Sequence, residues 1–256
     1  MLIDTHAHLC DASFDEDREA VLNRAREAGV VAVISVSENV VDFERNLEIA
    51  SQAPDLIRPA AGLFPTVLDP AEADELVALT RSNRDRLFAI GEVGLDLWKV
   101  QDPAGRVQQA EIFRQFIDLS IELDLPLNVH SRAAGRPTID LLRERGASRV
   151  QLHAFDGRAA KALPAIEAGF FFSVPPSVVR SVQKQKLVRR IPLENLLVET
   201  DSPVLGPDAQ ARNEPANVTI AVEAIAEIKD LSVADVEVAV TENTIRLYGD
   251  RIISGI

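Results

Sequence analysis

Eight short apolar runs, at 2–5, 30–36, 56–61, 87–91, 125–129, 149–152, 169–173 and 195–199, recur along this chain of 256 residues. Stretches with helical patterning separate them, at 15–28, 41–51, 71–84, 105–123, 137–145, 158–168 and 176–190. A strand followed by a helix returns the chain to the same end of a sheet, so such an alternation predicts parallel pairing. Eight units in about 250 residues favour an α/β fold closed into a TIM-like (β/α)8 barrel over an open doubly wound sheet. Two additional C-terminal helices follow at 217–229 and 232–248, the second opened by Ser232-Val-Ala-Asp235 with an N-cap hydroxyl and an acidic third residue. Gly29, Gly146 and Gly169 follow helical stretches and are suited to end them. No repeat, low-complexity segment or linker divides the chain, so 1–256 reads as one domain.

Functional groups of such a barrel gather where its strands end. All four histidines of this chain lie at those places: His6 and His8 after the first run, His130 after the fifth, His153 after the sixth. In Asp4-Thr5-His6-Ala7-His8 the two imidazoles are spaced i and i+2, so they project to one side of an extended chain. Two nitrogens are an incomplete shell for a divalent cation, and further histidines or carboxylates complete it. Glu92 ends the fourth run and Asp201 follows the eighth. A carboxylate between the two pairs of histidines can bridge two cations, which places Glu92 at the centre of the predicted site. Asp201 is read as a metal ligand or proton acceptor, with an Asx-turn before Pro203 as the alternative. Glu199 is expected to face the wall or to support a histidine.

With 27 Lys and Arg against 40 Asp and Glu, the net charge of −13 argues against a broad nucleic-acid-binding surface. It leaves room for a nucleic-acid enzyme, because bound cations reverse the local field. No run of roughly 18 apolar residues predicts a membrane span. The strand-like start at Leu2-Ile3 does not read as a secretory leader, and a lone Cys10 fits a reducing compartment, so a cytoplasmic location is expected.

Beyond these single residues, Asp4-Thr-His-Ala-His8, Gly91-Glu-Val-Gly-Leu-Asp96, Asn128-Val-His-Ser-Arg132, Leu152-His-Ala-Phe-Asp-Gly157, Glu199-Thr-Asp-Ser-Pro203 and Arg212-Asn-Glu-Pro-Ala-Asn217 form an ordered set. Together they resemble the TatD family of metal-dependent deoxyribonucleases over nearly the whole chain. The stretch from His130 to Gly157, with Phe171-Phe-Ser-Val-Pro-Pro176 and Gln183-Lys-Gln-Lys186, is more similar to the branch that includes eukaryotic homologues. The resemblance implies an amidohydrolase-type barrel with two divalent ions, Zn, Mg or Mn. It implies one ion on His6, His8, Glu92 and Asp201 and the other on Glu92, His130 and His153. A hydroxide bridging the ions would attack a DNA phosphodiester, with Asp201 handling its proton, so Asp201 and Glu92 are the expected catalytic residues.

Arg132, two positions after a ligand, is the first candidate to grip a phosphate. Arg212 and Asn213 are expected either to contact substrate or to order the rim. Asp96 is expected to orient a ligand or tether its loop, and Cys10 is read as a bystander. Gly62-Leu-Phe-Pro-Thr66 stands where many members of the resembled family carry two histidines, so Phe64 and Thr66 alter the third-strand position. The leading reading is a DNase or exonuclease acting on single-stranded or frayed ends, with DNA as the partner and no obligate protein partner evident. A small-molecule phosphoesterase, amidase or lactonase on the same metals is the alternative, and a metal-stabilised scaffold is a third reading.

Overall fold

The structure, a computed structural model, describes residues 1–253. Strands β1 (Leu2–Ala7), β2 (Val30–Ser35), β3 (Ile57–Ala61), β4 (Ala89–Gly94), β5 (Leu127–His130), β6 (Val150–Leu152), β7 (Phe171–Val174) and β8 (Leu196–Val198) lie side by side in chain order. Every pairing between neighbours is parallel. The connecting helices are α1 (Arg18–Glu27), α2 (Val40–Gln52), α3 (Pro70–Ser82), α4 (Pro103–Leu123), α5 (Gly135–Glu144), α6 (Ala159–Glu167) and α7 (Val182–Arg190). Two more helices, α8 (Val218–Lys229) and α9 (Val233–Tyr248), follow β8. The expected (β/α)8 order with extra C-terminal helices is the observed one.

Closure between β8 and β1 falls largely to side chains and loop backbone. Thr5 Oγ1 donates to Val198 O (2.9 Å), and Asp4 Oδ1 accepts from Thr200 N (2.8 Å). Asp201 N donates to His6 O and His8 N to Ser202 O, both at 2.8 Å. The seam therefore splices the His-Ala-His segment directly to the loop that carries Asp201.

Strands covered on both faces need apolar side chains on both. Val33, Ile90, Leu127 and Val150 belong to the core shared with the helices. Ile3, Ala32, Ile34, Ala60, Ala89 and Leu197 form a separate cluster with Leu247, Tyr248 and Ile252, so the end of α9 and the turn after it plug the barrel. Next to this apolar floor lies a polar relay. Tyr248 donates to Gln151 Oε1 (2.5 Å), Gln151 Nε2 to Ser173 Oγ (2.9 Å), and Ser173 Oγ to Glu199 Oε2 (2.6 Å). Burial pushes the Tyr248 hydroxyl pKa up, which keeps it a donor.

Helix punctuation follows the sequence, with two differences. Gly29, Gly146 and Gly169 follow their helices with φ of 81°, 75° and 76°. The helix expected from 15 begins only at Arg18, because a 3₁₀ turn at Ala12–Phe14 intervenes to bury Phe14 completely. The stretch 176–190 is broken: a 3₁₀ turn covers Pro176–Arg180, then the Ser181 hydroxyl accepts from Lys184 N and starts α7 afresh. Ser232 behaves as its sequence indicates, accepting from Asp235 N (3.0 Å) and donating to Asp235 Oδ2 (2.7 Å). Ser232→Ala should cost about 1 kcal/mol, a fall in Tm of roughly 2–4 °C for a chain of this size. Calorimetry showing no fall would mean that α9 is held by packing alone.

Candidate metal centre

The six predicted residues converge, from five different strands or strand ends, on one buried point. Glu92 lies within β4 rather than after it, because the strand runs on to Gly94. Its Oε1 is 2.6 Å from His130 Nδ1 and 2.7 Å from His153 Nε2. Its Oε2 looks the other way, 3.8 Å from His6 Nε2 and 3.6 Å from His8 Nε2. Asp201 Oδ1 completes that second set, 3.4 Å from His6 Nε2 and 3.3 Å from His8 Nε2. One carboxylate thus spans two groups of imidazoles.

For three of the four rings the far side explains the aim. Asn128 Nδ2 donates to Thr5 O (2.8 Å), which fixes the amide and turns Oδ1 to His6 Nδ1, also at 2.8 Å. His6 Nδ1 therefore donates to Asn128 and its Nε2 points inward; against the cost of burial, the facing Asp201 and Glu92 carboxylates push this ring's pKa up to about 10. His8 Nδ1 faces Glu38 Oε1 at 3.3 Å, and His130 Nε2 faces Asp96 Oδ2 at 3.1 Å. Asp96 Oδ1 meanwhile accepts from Trp98 N and Lys99 N, so this side chain both orients a ring and tethers its loop. His153 has no such partner: its Nδ1 is buried without a hydrogen bond, 3.9 Å from Glu199 Oε2. Glu199 accepts instead from Ala154 N and Ser173 Oγ, holding the backbone beside His153.

Burial would raise the Glu92 carboxyl pKa, but the facing His153 and His130 imidazoles hold it well below the usual range. Asp201 is held low against the same burial cost by its contacts with His6 and His8. Burial and the nearby His6 push His153 down to about 4, leaving it a neutral donor of a lone pair. Burial lifts Glu199 to about 7. Every ion-pair partner of Glu92 and Asp201 is an imidazole. Two carboxylates and four inward-facing nitrogens, with no lysine or arginine paired to them among the described residues, are a donor set that fits divalent metal, and three overlapping triads of these residues bring one ligand atom each within 4.8 Å.

The cluster floors a cavity of about 450 Å³, whose walls include Phe64, Arg132, Asp156, Lys184 and Leu205. Arg132 is in no ion pair among the described residues; its guanidinium sits 3.9 Å from the centroid of the exposed Trp98 ring. Phe64 turns its ring edge-on to His130 with centroids 5.2 Å apart, while Thr66 is exposed outside the cavity wall. Arg212 and Asn213 are both engaged with the rim. Arg212 forks onto Asp17 (2.8 and 2.6 Å) and bonds Ser13 O, beside the Phe14 ring. Asn213 is buried and spends its amide on Thr200 O, Val204 O and Asn217. Cys10 is a buried thiol pushed up to about 12 by burial, outside the cluster.

Asn128, Glu38 and Lys184 were not singled out as functional by their sequence positions. Asn128 shows its role only through a contact 122 residues away, and Lys184 through the fold that seats it on the cavity wall. Asn128→Ala should free the His6 ring and weaken divalent-cation affinity by about 10–100-fold. A metal titration giving wild-type affinity would remove Asn128 from the site.

The chain is similar to known proteins over nearly its whole length. The family model described as TatD related DNase matches residues 3–249. The mouse putative deoxyribonuclease TATDN3 is 44% identical over 96% of this chain and 88% of its own length, and human deoxyribonuclease TATDN3 is 43% identical over 96% and 94%. The crystal structure of YJJV, a TatD homolog from Escherichia coli, superposes with a TM-score of 0.89 at 27% identity, covering 96% of this chain and 97% of that one. With a buried His–Glu–Asp cluster at the strand ends of its barrel, this chain belongs to the TatD-related DNase family.

Proposed function

We propose that the chain is a metal-dependent deoxyribonuclease that hydrolyses a phosphodiester near an end of a single-stranded or frayed DNA strand. The observation that carries this reading is Glu92, whose two oxygens face two separate sets of imidazoles. In it, His6, His8, Glu92 and Asp201 would hold one divalent cation and Glu92, His130 and His153 a second, with zinc, manganese and magnesium as candidates. When bound, such ions lower the pKa of the attacking water and neutralise charge that builds on the phosphate oxygens. The protein's own groups do the rest. Asp201 faces His6 and His8 with one oxygen, which leaves the other to take the proton of the attacking water. Arg132, held over Trp98, grips a non-bridging phosphate oxygen, and Phe64 offers an apolar wall to a base or sugar. A cavity of about 450 Å³ falls in the range of small-ligand pockets and suits one terminal nucleotide, which favours strand ends over an intact duplex.

Among the described residues no helix is long and apolar enough to cross a membrane, and the buried, unpaired thiol of Cys10 suits a cytoplasmic setting. The test is hydrolysis of 3′- and 5′-labelled single-stranded oligonucleotides by the chelated chain after return of Mg²⁺, Mn²⁺ or Zn²⁺. A metal-dependent ladder is expected, and it shows which end is attacked. Intact oligonucleotides under every metal would shift the assignment to small-molecule ester or amide hydrolysis.

A further inference from the structure

The positive charge of this acidic chain is segregated. Seven of its 27 Lys and Arg but only one of its 40 Asp and Glu fall in residues 158–190, a net charge of +6 against −19 for the remainder. That segment is a single unit of the barrel, running through α6, β7 and α7. Elsewhere many surface cations are neutralised in pairs, among them Arg24–Glu214, Arg81–Glu122 and Arg145–Asp118. Arg158, Lys186, Arg189 and Arg190 are exposed and, among the described residues, take part in no ion pair. They line one groove of about 700 Å³ between the start of α6 and the outer face of α7, and no carboxylate contributes to its wall.

The groove abuts the candidate metal centre. Gln183, in its wall, donates to Asp156 O and Gly157 O (3.0 and 2.8 Å). Asp156 and Lys184, the next residue of α7, both line the cavity over the metal cluster. From Val182 to Arg190 the helix is roughly 12 Å long, at 1.5 Å per residue. A strand whose end lies in the cavity therefore leaves it beside a row of cations suited to its phosphates.

We propose that the α6–α7 groove is a strand-tracking surface, in which Lys186, Arg189 and Arg190 hold backbone phosphates of single-stranded DNA beyond the nucleotide being cut. The proposal rests on the nuclease reading and adds to it a length dependence: long strands use the groove, and very short ones do not reach it. No sequence preference is expected, because phosphate contacts carry none.

The test is binding of fluorescent, phosphorothioate-linked oligothymidylates of three and twelve nucleotides to the Mn²⁺-loaded full chain across a range of salt concentrations. In the variant Lys186→Gln/Arg189→Gln/Arg190→Gln, the plot of log Kd against log salt for the longer strand should be shallower by about 2, and its affinity at low salt should fall by about tenfold or more. The three-nucleotide strand should bind as it does to wild type. The conservative variant Lys186→Arg/Arg189→Lys/Arg190→Lys should keep the steep slope. An unchanged slope for the longer strand overturns the proposal, and so does an equal loss for both strands, which would place the effect in the cavity. If wild type binds the uncleavable strand in this way but cuts no ordinary DNA, the nuclease reading fails while the groove stands. Metal-dependent cleavage by a variant with an unchanged salt slope has the opposite meaning.

Discussion

Replacing Glu92 with glutamine is expected to lower metal-dependent DNA hydrolysis by about 10³-fold or more and to weaken divalent-cation affinity by at least about 10²-fold. The two side chains have the same shape, and Glu92 is only 1% exposed, so the substitution opens no cavity in the barrel. What changes is the chemistry at the two ends of the group. The carboxylate meets His130 and His153 with one oxygen and His6 and His8 with the other. A carboxamide keeps one acceptor and turns an N–H₂ toward the other imidazole set, where a donor opposes a cation. The negative charge at the centre of the cluster goes as well. Glu92→Ala would remove the same interactions but leave a buried void, so its loss of activity would mix site chemistry with destabilisation. Calorimetric titration with Mn²⁺, read beside oligonucleotide cleavage, separates binding from turnover. A glutamine variant that cleaves at the wild-type rate would sink the bridging role.

Strand order made the ligand set legible. Once eight apolar runs are read as parallel strands of one barrel, the positions of His6, His8, Glu92, His130, His153 and Asp201 follow from where those runs end, because all such ends share one mouth. The groups that aim the ligands are not fixed by that rule. Asn128 stands inside an apolar strand, and what it does depends on Thr5 and His6, which the seam between β8 and β1 brings to it. Glu38 and Lys184 lie on loops or helices whose angle to the cavity no periodicity gives. Helix boundaries near 15 and 181 shift for a similar reason: burial of Phe14 and a local cap at Ser181 compete with the longer helical pattern.

Charge shows the same limit from the other side. The total of −13 argues against a broad basic face, yet it averages over a segment of +6. That segment gains meaning only when α6 and α7 stand next to each other with Arg158 and Lys186 on one groove. Arg212, singled out by its loop sequence, is taken up by Asp17 instead. Ion pairing in three dimensions decides which arginines remain available to a phosphate.

Gly94→Ala is expected to give the largest stability loss of any single methyl addition near the site, about 3 kcal/mol, or a fall in Tm of roughly 6–12 °C. Gly94 has φ of 146°, which L side chains rarely adopt. A Cβ there would stand 2.1 Å from His130 O and 2.9 Å from His130 C. Both are backbone atoms, and they have little freedom to retreat: Gly94 pairs with His130 in the β4–β5 register, and Leu95 N donates to the same carbonyl at 3.1 Å. The displacement would therefore pass into β5 and move the His130 ring off Glu92 and Asp96. Gly146→Ala supplies the control. Gly146 also has positive φ, 75°, but a Cβ there meets nothing within 4 Å, so only the backbone cost of about 1 kcal/mol should appear, with metal affinity unchanged. Equal losses of stability in the two variants would show that β4 and β5 can part at little cost. A larger loss in Gly94→Ala, accompanied by weaker cation binding, is the outcome that ties this close backbone contact to the geometry of His130.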